Sequence, residues 1–200
     1  MSTNKQTKWF SNYLRDQSKT LQKLPLKTLA RLIERIENAA EEGRTVFVFG
    51  NGGSAANTSH FATDLGKGAS DAAGKRFKVI SLNDHTSSVT AIGNDIAYES
   101  IFEKQLRNLA EPRDIALTMS VSGNSPNVVK AIMWAKKNKL FTVAFVGKAG
   151  GKISKISDIT IKINSHHYGI VEDCHMMAAH MVCYALMEKP KTSAGTTIRR

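Results

Sequence analysis

The sequence predicts an α/β fold: a three-layer parallel sheet of about five strands with helices on both faces. Three observations carry that prediction. Short apolar runs alternate with stretches of helical periodicity along most of the chain. The runs are continuous rather than alternating, as in strands buried on both faces. Two of them end in glycine- or serine-rich turns that open directly into helical stretches.

The elements follow in order. Over residues 9–42 apolar side chains recur at helical spacing, with Leu29, Leu32, Ile33 and Ile36 on one side. Pro25 divides this stretch into two helices, and Gly43 stops the second, as a glycine just past a helix end does. Residues 45–49 form the first strand and run into Gly50-Asn51-Gly52-Gly53-Ser54, after which a helix extends to about Leu65. Residues 77–82 give a second strand, 96–109 a helix and 114–119 a third strand. The turn Ser120-Val121-Ser122-Gly123-Asn124-Ser125-Pro126 then opens a helix through Lys137, with Pro126 in the first turn, where its missing N–H costs nothing. Strands at 140–146 and 158–163 and an apolar helix over 171–188 complete the pattern. The expected organisation is one domain over 1–188, with 1–42 as its N-terminal helical region and 189–200 as a basic, disordered tail.

Composition excludes more than it assigns. The chain of 200 residues carries 28 Lys plus Arg against 17 Asp plus Glu, a formal net charge of +11. The cations are scattered, with part of the excess in the tail. Nucleic-acid binding is therefore not expected, since no aromatic residues are interleaved with a basic stripe. Cys174 and Cys183 lie within one apolar helical stretch and read as reduced, buried thiols rather than a disulfide framework. No apolar stretch approaches the roughly 20 residues needed to span a bilayer, and a cytoplasmic location is expected.

Both informative turns fall at the carboxyl edge of the predicted sheet, where open α/β folds bind ligands. The glycine turn offers backbone N–H groups at a helix N-terminus, and Ser120, Ser122 and Ser125 add hydroxyl donors around the second turn. Neither turn matches a P-loop or a full dinucleotide fingerprint. Several serines without a reaching lysine suit a phosphate monoester. His60 and Asp64 lie four apart on one helix face just beyond the glycine turn, while Glu172, His175 and His180 lie on the last helix. Such groups can move a carbon-bound proton and steady an enediolate.

Gly50-Asn51-Gly52-Gly53-Ser54, His60-Phe61-Ala62, Gly93-Asn94-Asp95 and Ser122-Gly123-Asn124-Ser125 together resemble the sugar isomerase (SIS) family, and within it the phosphoheptose isomerase branch. The resemblance spans nearly the whole chain. It implies a flavodoxin-like SIS fold with N-terminal helices used for oligomerisation. It also implies a homotetramer with sites at subunit interfaces and conversion of sedoheptulose 7-phosphate to D-glycero-D-manno-heptose 7-phosphate, a step of heptose supply for lipopolysaccharide or capsule. By the same resemblance Asn51, Gly52, Gly53, Ser54, Asn94, Asp95, Ser120, Val121, Ser122, Ser125 and Glu172 contact substrate. Asp64 and His180 act as base and acid, and a divalent metal, zinc in the family, is held by His60, Asp64, Glu172 and His180. Two of these positions depart from the family, which has glutamate at Asp64 and glutamine at Glu172. A non-catalytic phosphosugar- or protein-binding SIS module, of the kind that associates with the bacterial replication initiator, is the alternative; the presence of both His60 and His180 favours catalysis. Spacing adds one constraint. Glu172 and His180 are separated by roughly 12 Å along one helix, too far for both to hold one ion easily within a subunit.

Overall fold

A computed structural model of the chain describes residues 3–188; the tail expected at 189–200 lies outside the described residues. Five strands, β1 (Thr45–Gly50), β2 (Lys78–Ser81), β3 (Ile115–Ser120), β4 (Phe141–Val146) and β5 (Ile159–Lys162), form one sheet in the order β2-β1-β3-β4-β5. Every pairing is parallel. The continuous apolar runs have a simple cause: alternate side chains serve opposite layers. Val46 and Val48 of β1 join Ile115, Leu117, Met119, Val143 and Phe145 in one core, whereas Phe47 and Phe49 join Ala116, Ala144 and Val146 in the other.

Helices α2 (Leu26–Glu41), α3 (Gly53–Thr63) and α9 (Tyr168–Met187) close the first core, with α1 (Thr3–Leu21) laid outside against α9. Tyr13 of α1 donates to Asp173 of α9 at 2.6 Å. Helices α5 (Thr86–Asp95), α6 (Ile101–Leu109), α7 (Pro126–Lys137) and α8 (Ile153–Ile156) close the second.

Three local features differ from the sequence reading. The helix expected to stop near Leu65 runs on through a π-helical segment, Asp64–Ala69, into the short α4 (Ser70–Ala73). Gly66 and Gly68 read as breakers, but packing of this segment on α9 overrides propensity. The helix expected over 96–109 is α6 alone, preceded by a 3₁₀ turn at Tyr98–Ser100 and by α5, which the sequence reading left unassigned. α5 is rich in Thr, Ser and Gly and has no fully buried residue, so it carries little helical signal. The single turn of α8 was also not expected.

His175 on α9 is fully buried, edge-on to Phe145 at 5.8 Å, and neither ring nitrogen has a hydrogen-bond partner among the described residues. Burial holds its pKa down to about 4, against a smaller upward pull from the Val146 backbone. The folded protein therefore keeps this ring neutral while the unfolded chain takes up a proton below its ordinary value of 6.5. Stability is accordingly expected to fall as pH drops from 6.5 towards 4, by about 3 kcal/mol from this group. Urea unfolding at pH 7 and pH 4 measures it. His175→Leu should lose that part of the pH dependence, and an unchanged difference would refute the assignment.

Candidate active site

The strand order places the site. β1 feeds α3 on one face and β3 feeds α7 on the other, so the chain leaves neighbouring strands in opposite directions and a crevice opens between them. The glycine and serine turns form its two walls.

The glycine turn is clamped from the side. Asn83, just beyond β2, accepts from the Gly50 N–H at 3.1 Å and donates to the Gly50 carbonyl at 2.9 Å. This pairing mimics one more rung of the sheet. Asn51 faces across the crevice, where its amide forms a reciprocal pair with the buried Asn127 of α7, both bonds 2.9 Å, and its carbonyl oxygen also accepts from Tyr98 at 3.3 Å. Asn127 Oδ1 in turn accepts from the Val128 N–H. The two turns are thus fixed relative to each other by side-chain amides. The serine turn is tied internally: the Gly123 N–H donates to Ser120 and the Asn124 N–H donates to Ser122 Oγ at 3.2 Å. Both hydroxyls keep a proton to donate. Ser125 is the N-cap residue of α7, and its hydroxyl makes no capping bond. Val121 is buried, its carbonyl accepting from the Gly147 N–H at 3.0 Å.

The third group stands where α3 passes into the π-helical segment. His60 Nε2 lies 3.3 Å from Asp64 Oδ2, His180 Nε2 lies 3.5 Å from the same oxygen, and the two imidazole nitrogens are 3.4 Å apart. All three donor atoms fit within 4.8 Å of one another. Two imidazoles and one carboxylate are a donor set suited to a divalent transition metal with a coordination position left open. The cluster faces outward, with the His60 and His180 side chains 54% and 41% exposed. Cys183 is buried and its thiol is pushed up to about 12, by desolvation first and the Asp64 charge second, so it stays protonated.

Glu172 does not join that cluster. It occupies the N-terminal turn of α3 instead, accepting from Ser54 Oγ at 3.3 Å, while its backbone carbonyl accepts from Asn57 at 2.9 Å. A Cβ on Gly53 would come within 2.5 Å of the Glu172 carboxylate, so the glycine lets this acid settle on the helix end. The four expected ligands therefore separate into three that converge and one that does not, in keeping with the spacing along α9. Asn94 and Asp95 bond to each other at the exposed end of α5, and no hydrogen bond ties either to the two turns among the described residues. His167 caps α9 rather than pointing idly to solvent, accepting from Ile170 at 3.4 Å. Asn83, Asn127 and Tyr98 were missed by sequence reasoning. An asparagine directly after a strand at the carboxyl edge, and one beside the proline that opens α7, are the signals that could have found the first two. A separate concavity of about 570 Å³ lies beside the edge strand β2, lined by Lys75, Arg76 and Lys78, away from this chemistry.

A doubly wound sheet with two such turns at its switch point defines an α/β domain built to take a small anionic ligand. Residues 9–147 match the SIS domain family model, and the chain belongs to that family. Its relatives include the "Probable phosphoheptose isomerase" of Thermoplasma acidophilum, 36% identical over 177 residues, covering 88% of this chain and 97% of the relative. The phosphoheptose isomerase of Aquifex aeolicus is 37% identical over 153 residues, 76% of this chain and 80% of that protein. Among solved structures, a phosphoheptose isomerase from Neisseria gonorrhoeae superposes with a TM-score of 0.82 at 26% identity, over 92% of this chain and 97% of that one. The family match ends before α9, which supplies Glu172 and His180.

Proposed function

We infer that this chain is a phosphosugar aldose–ketose isomerase acting on sedoheptulose 7-phosphate. The observation that carries the reading is the convergence of His60, Asp64 and His180, the first two borne by the helix that the glycine turn opens and its continuation. In this reading Ser120, Ser122 and Ser125, with the Val121 backbone, receive the phosphate. Gly52, Gly53, Ser54, Asn94, Asp95 and Glu172 face the sugar hydroxyls, and Asn51 serves chiefly to hold the two turns in register.

Isomerisation removes a proton from the carbon bearing one oxygen and returns it to the neighbouring carbon, by way of an enediolate. Asp64 and His180 are the pair suited to removing and returning it, one as base and the other as acid. The shared position of their donor atoms lets the proton stay within one small cluster. Were a divalent ion, zinc by its donor set, held by His60, Asp64 and His180, the His180 Nε2 would be a ligand rather than an acid. The second Asp64 oxygen would then be left to move the proton, and the ion would supply charge stabilisation to the enediolate oxygen.

Purified protein incubated with sedoheptulose 7-phosphate, with zinc and with a chelator, tests the reading. Turnover is expected with zinc and loss of most of it with chelator. Calorimetry should find one zinc per chain and none in His60→Ala. No turnover under any condition, together with intact substrate binding, would leave the non-catalytic module standing instead.

A homotetramer with shared sites belongs to the same reading. Trp9, Phe10 and Leu14 on α1 and Met177, Met181 and Tyr184 on α9 are exposed, the latter three flanking His180. Apolar side chains beside an outward-facing polar cluster favour cover by a second copy. A monomer in light scattering at working concentration would defeat it. The cytoplasm suits the two free, buried cysteines. Among the described residues no helix is long and apolar enough to cross a membrane.

A further inference from the structure

At the amino edge of the sheet, opposite the crevice, Arg35, Arg113, Lys136 and Lys139 border one cavity of about 280 Å³ together with Phe141 and Asp158. Lys136 pairs with Asp158 and Arg113 pairs with Glu42. That leaves the cations in excess by two. Arg35 stacks over the Phe141 ring at 5.0 Å and donates to the Arg113 carbonyl, yet its Nε is buried without a hydrogen-bond partner among the described residues.

The backbone supplies an independent observation. Arg113 and Lys139 are the two non-glycine residues with left-handed φ among those described, at 79° and 63°, and the Arg113 N–H donates to the Lys139 carbonyl at 2.9 Å. Lys139 follows the end of α7, and its neighbour's N–H closes the turn on Ala135 at 3.0 Å. The end of α2 has the same turn, closed on Ala39 at 2.7 Å, and there the chain uses Gly43 with φ 67°. A glycine would make the α7 turn without strain as well. The chain instead keeps a cation at each of two strained positions facing one cavity. Strain of this kind persists where a side chain is needed for a ligand.

We propose that Arg35, Arg113, Lys136 and Lys139 form a second anion site, separate from the catalytic edge, for a small polyphosphate. Four donors from three parts of the chain around one cavity match the several oxygens of a diphosphate group better than a single carboxylate. The guanidinium of Arg35 is already held at this wall by the Phe141 ring and the Arg113 carbonyl.

Titration of inorganic diphosphate into the full chain tests this, with inorganic phosphate as the comparison. Arg113→Gly and Lys139→Gly should each weaken diphosphate binding roughly ten-fold or more. Lys139→Gly should at the same time raise Tm by about 2–4 °C by relieving the left-handed backbone. Ser125→Ala, in the serine turn, should leave this binding event unchanged. Because the serine turn can itself take a phosphate group, the glycine variants are also made on Ser125→Ala; diphosphate binding there that survives both, or that Ser125→Ala alone abolishes, overturns the site. A Lys139→Gly protein no more stable than the parent removes the strain and overturns it too.

Discussion

Replacing Asp64 by Asn is expected to lower kcat by about 10²–10⁴-fold while leaving substrate binding largely intact. The carboxylate is the one acid that touches both imidazoles, at 3.3 and 3.5 Å, so its loss removes both the candidate base and the anionic member of the metal set. An amide of the same shape keeps the packing and cannot accept a proton. The serine turn proposed to receive the phosphate follows β3 and is not built from this side chain, so affinity should change much less than rate. Turnover of sedoheptulose 7-phosphate and calorimetric binding of the same sugar separate the two effects. Full activity in the variant sinks the assignment, and loss of binding in step with rate would recast Asp64 as a substrate contact.

The second large effect is structural. Gly123→Ala should destabilise the fold by about 3 kcal/mol or more and weaken phosphosugar binding with it. Gly123 has φ 63°, and a Cβ there would sit 2.0 Å from the Gly150 carbonyl oxygen and 2.8 Å from its carbon. Both atoms are backbone, so no side-chain rotation relieves the clash. Moving the loops apart breaks the bond from the Ile153 N–H to the Gly123 carbonyl and that from the Lys152 N–H to Asn124, which buttress the serine turn. Gly74→Ala makes a useful control. Its φ is 60° but nothing lies within 4 Å of the new methyl, so only backbone strain of about 1–2 kcal/mol applies. Thermal unfolding of both variants decides it: equal losses would mean that the contact between the two loops carries no weight.

The strands and the two turns were readable because strands buried on both faces leave an unmistakable apolar run, and turns that must approach backbone closely demand glycine. His60 and Asp64 were readable because helical spacing alone puts them on one face. Glu172 was only half readable. Its distance from His180 along α9 warned that the two could not easily serve one ion within a subunit, but nothing in the sequence said that it would sit on the end of α3 beside Gly53 and Ser54. Asn127 and Asn83 were hidden for a different reason. An asparagine in a turn has many uses, and their pairing with Asn51 and Gly50 depends on residues 76 and 33 positions away in the chain. α5 escaped because it buries nothing completely, and packing rather than composition makes it a helix.

The position of α9 has a consequence for biosynthesis. It is the final described helix, and it alone brings His180 to a cluster whose other members left the ribosome more than a hundred residues earlier. A nascent chain halted just past β4 already holds both turns, yet the layer made by α2 and α3 lacks Val171, Cys174, Ala178, Val182 and Leu186 to pack against. Such a fragment shows a bare apolar flank to chaperones and proteases. Competence for chemistry and protection from degradation therefore arrive together, with the same twenty residues.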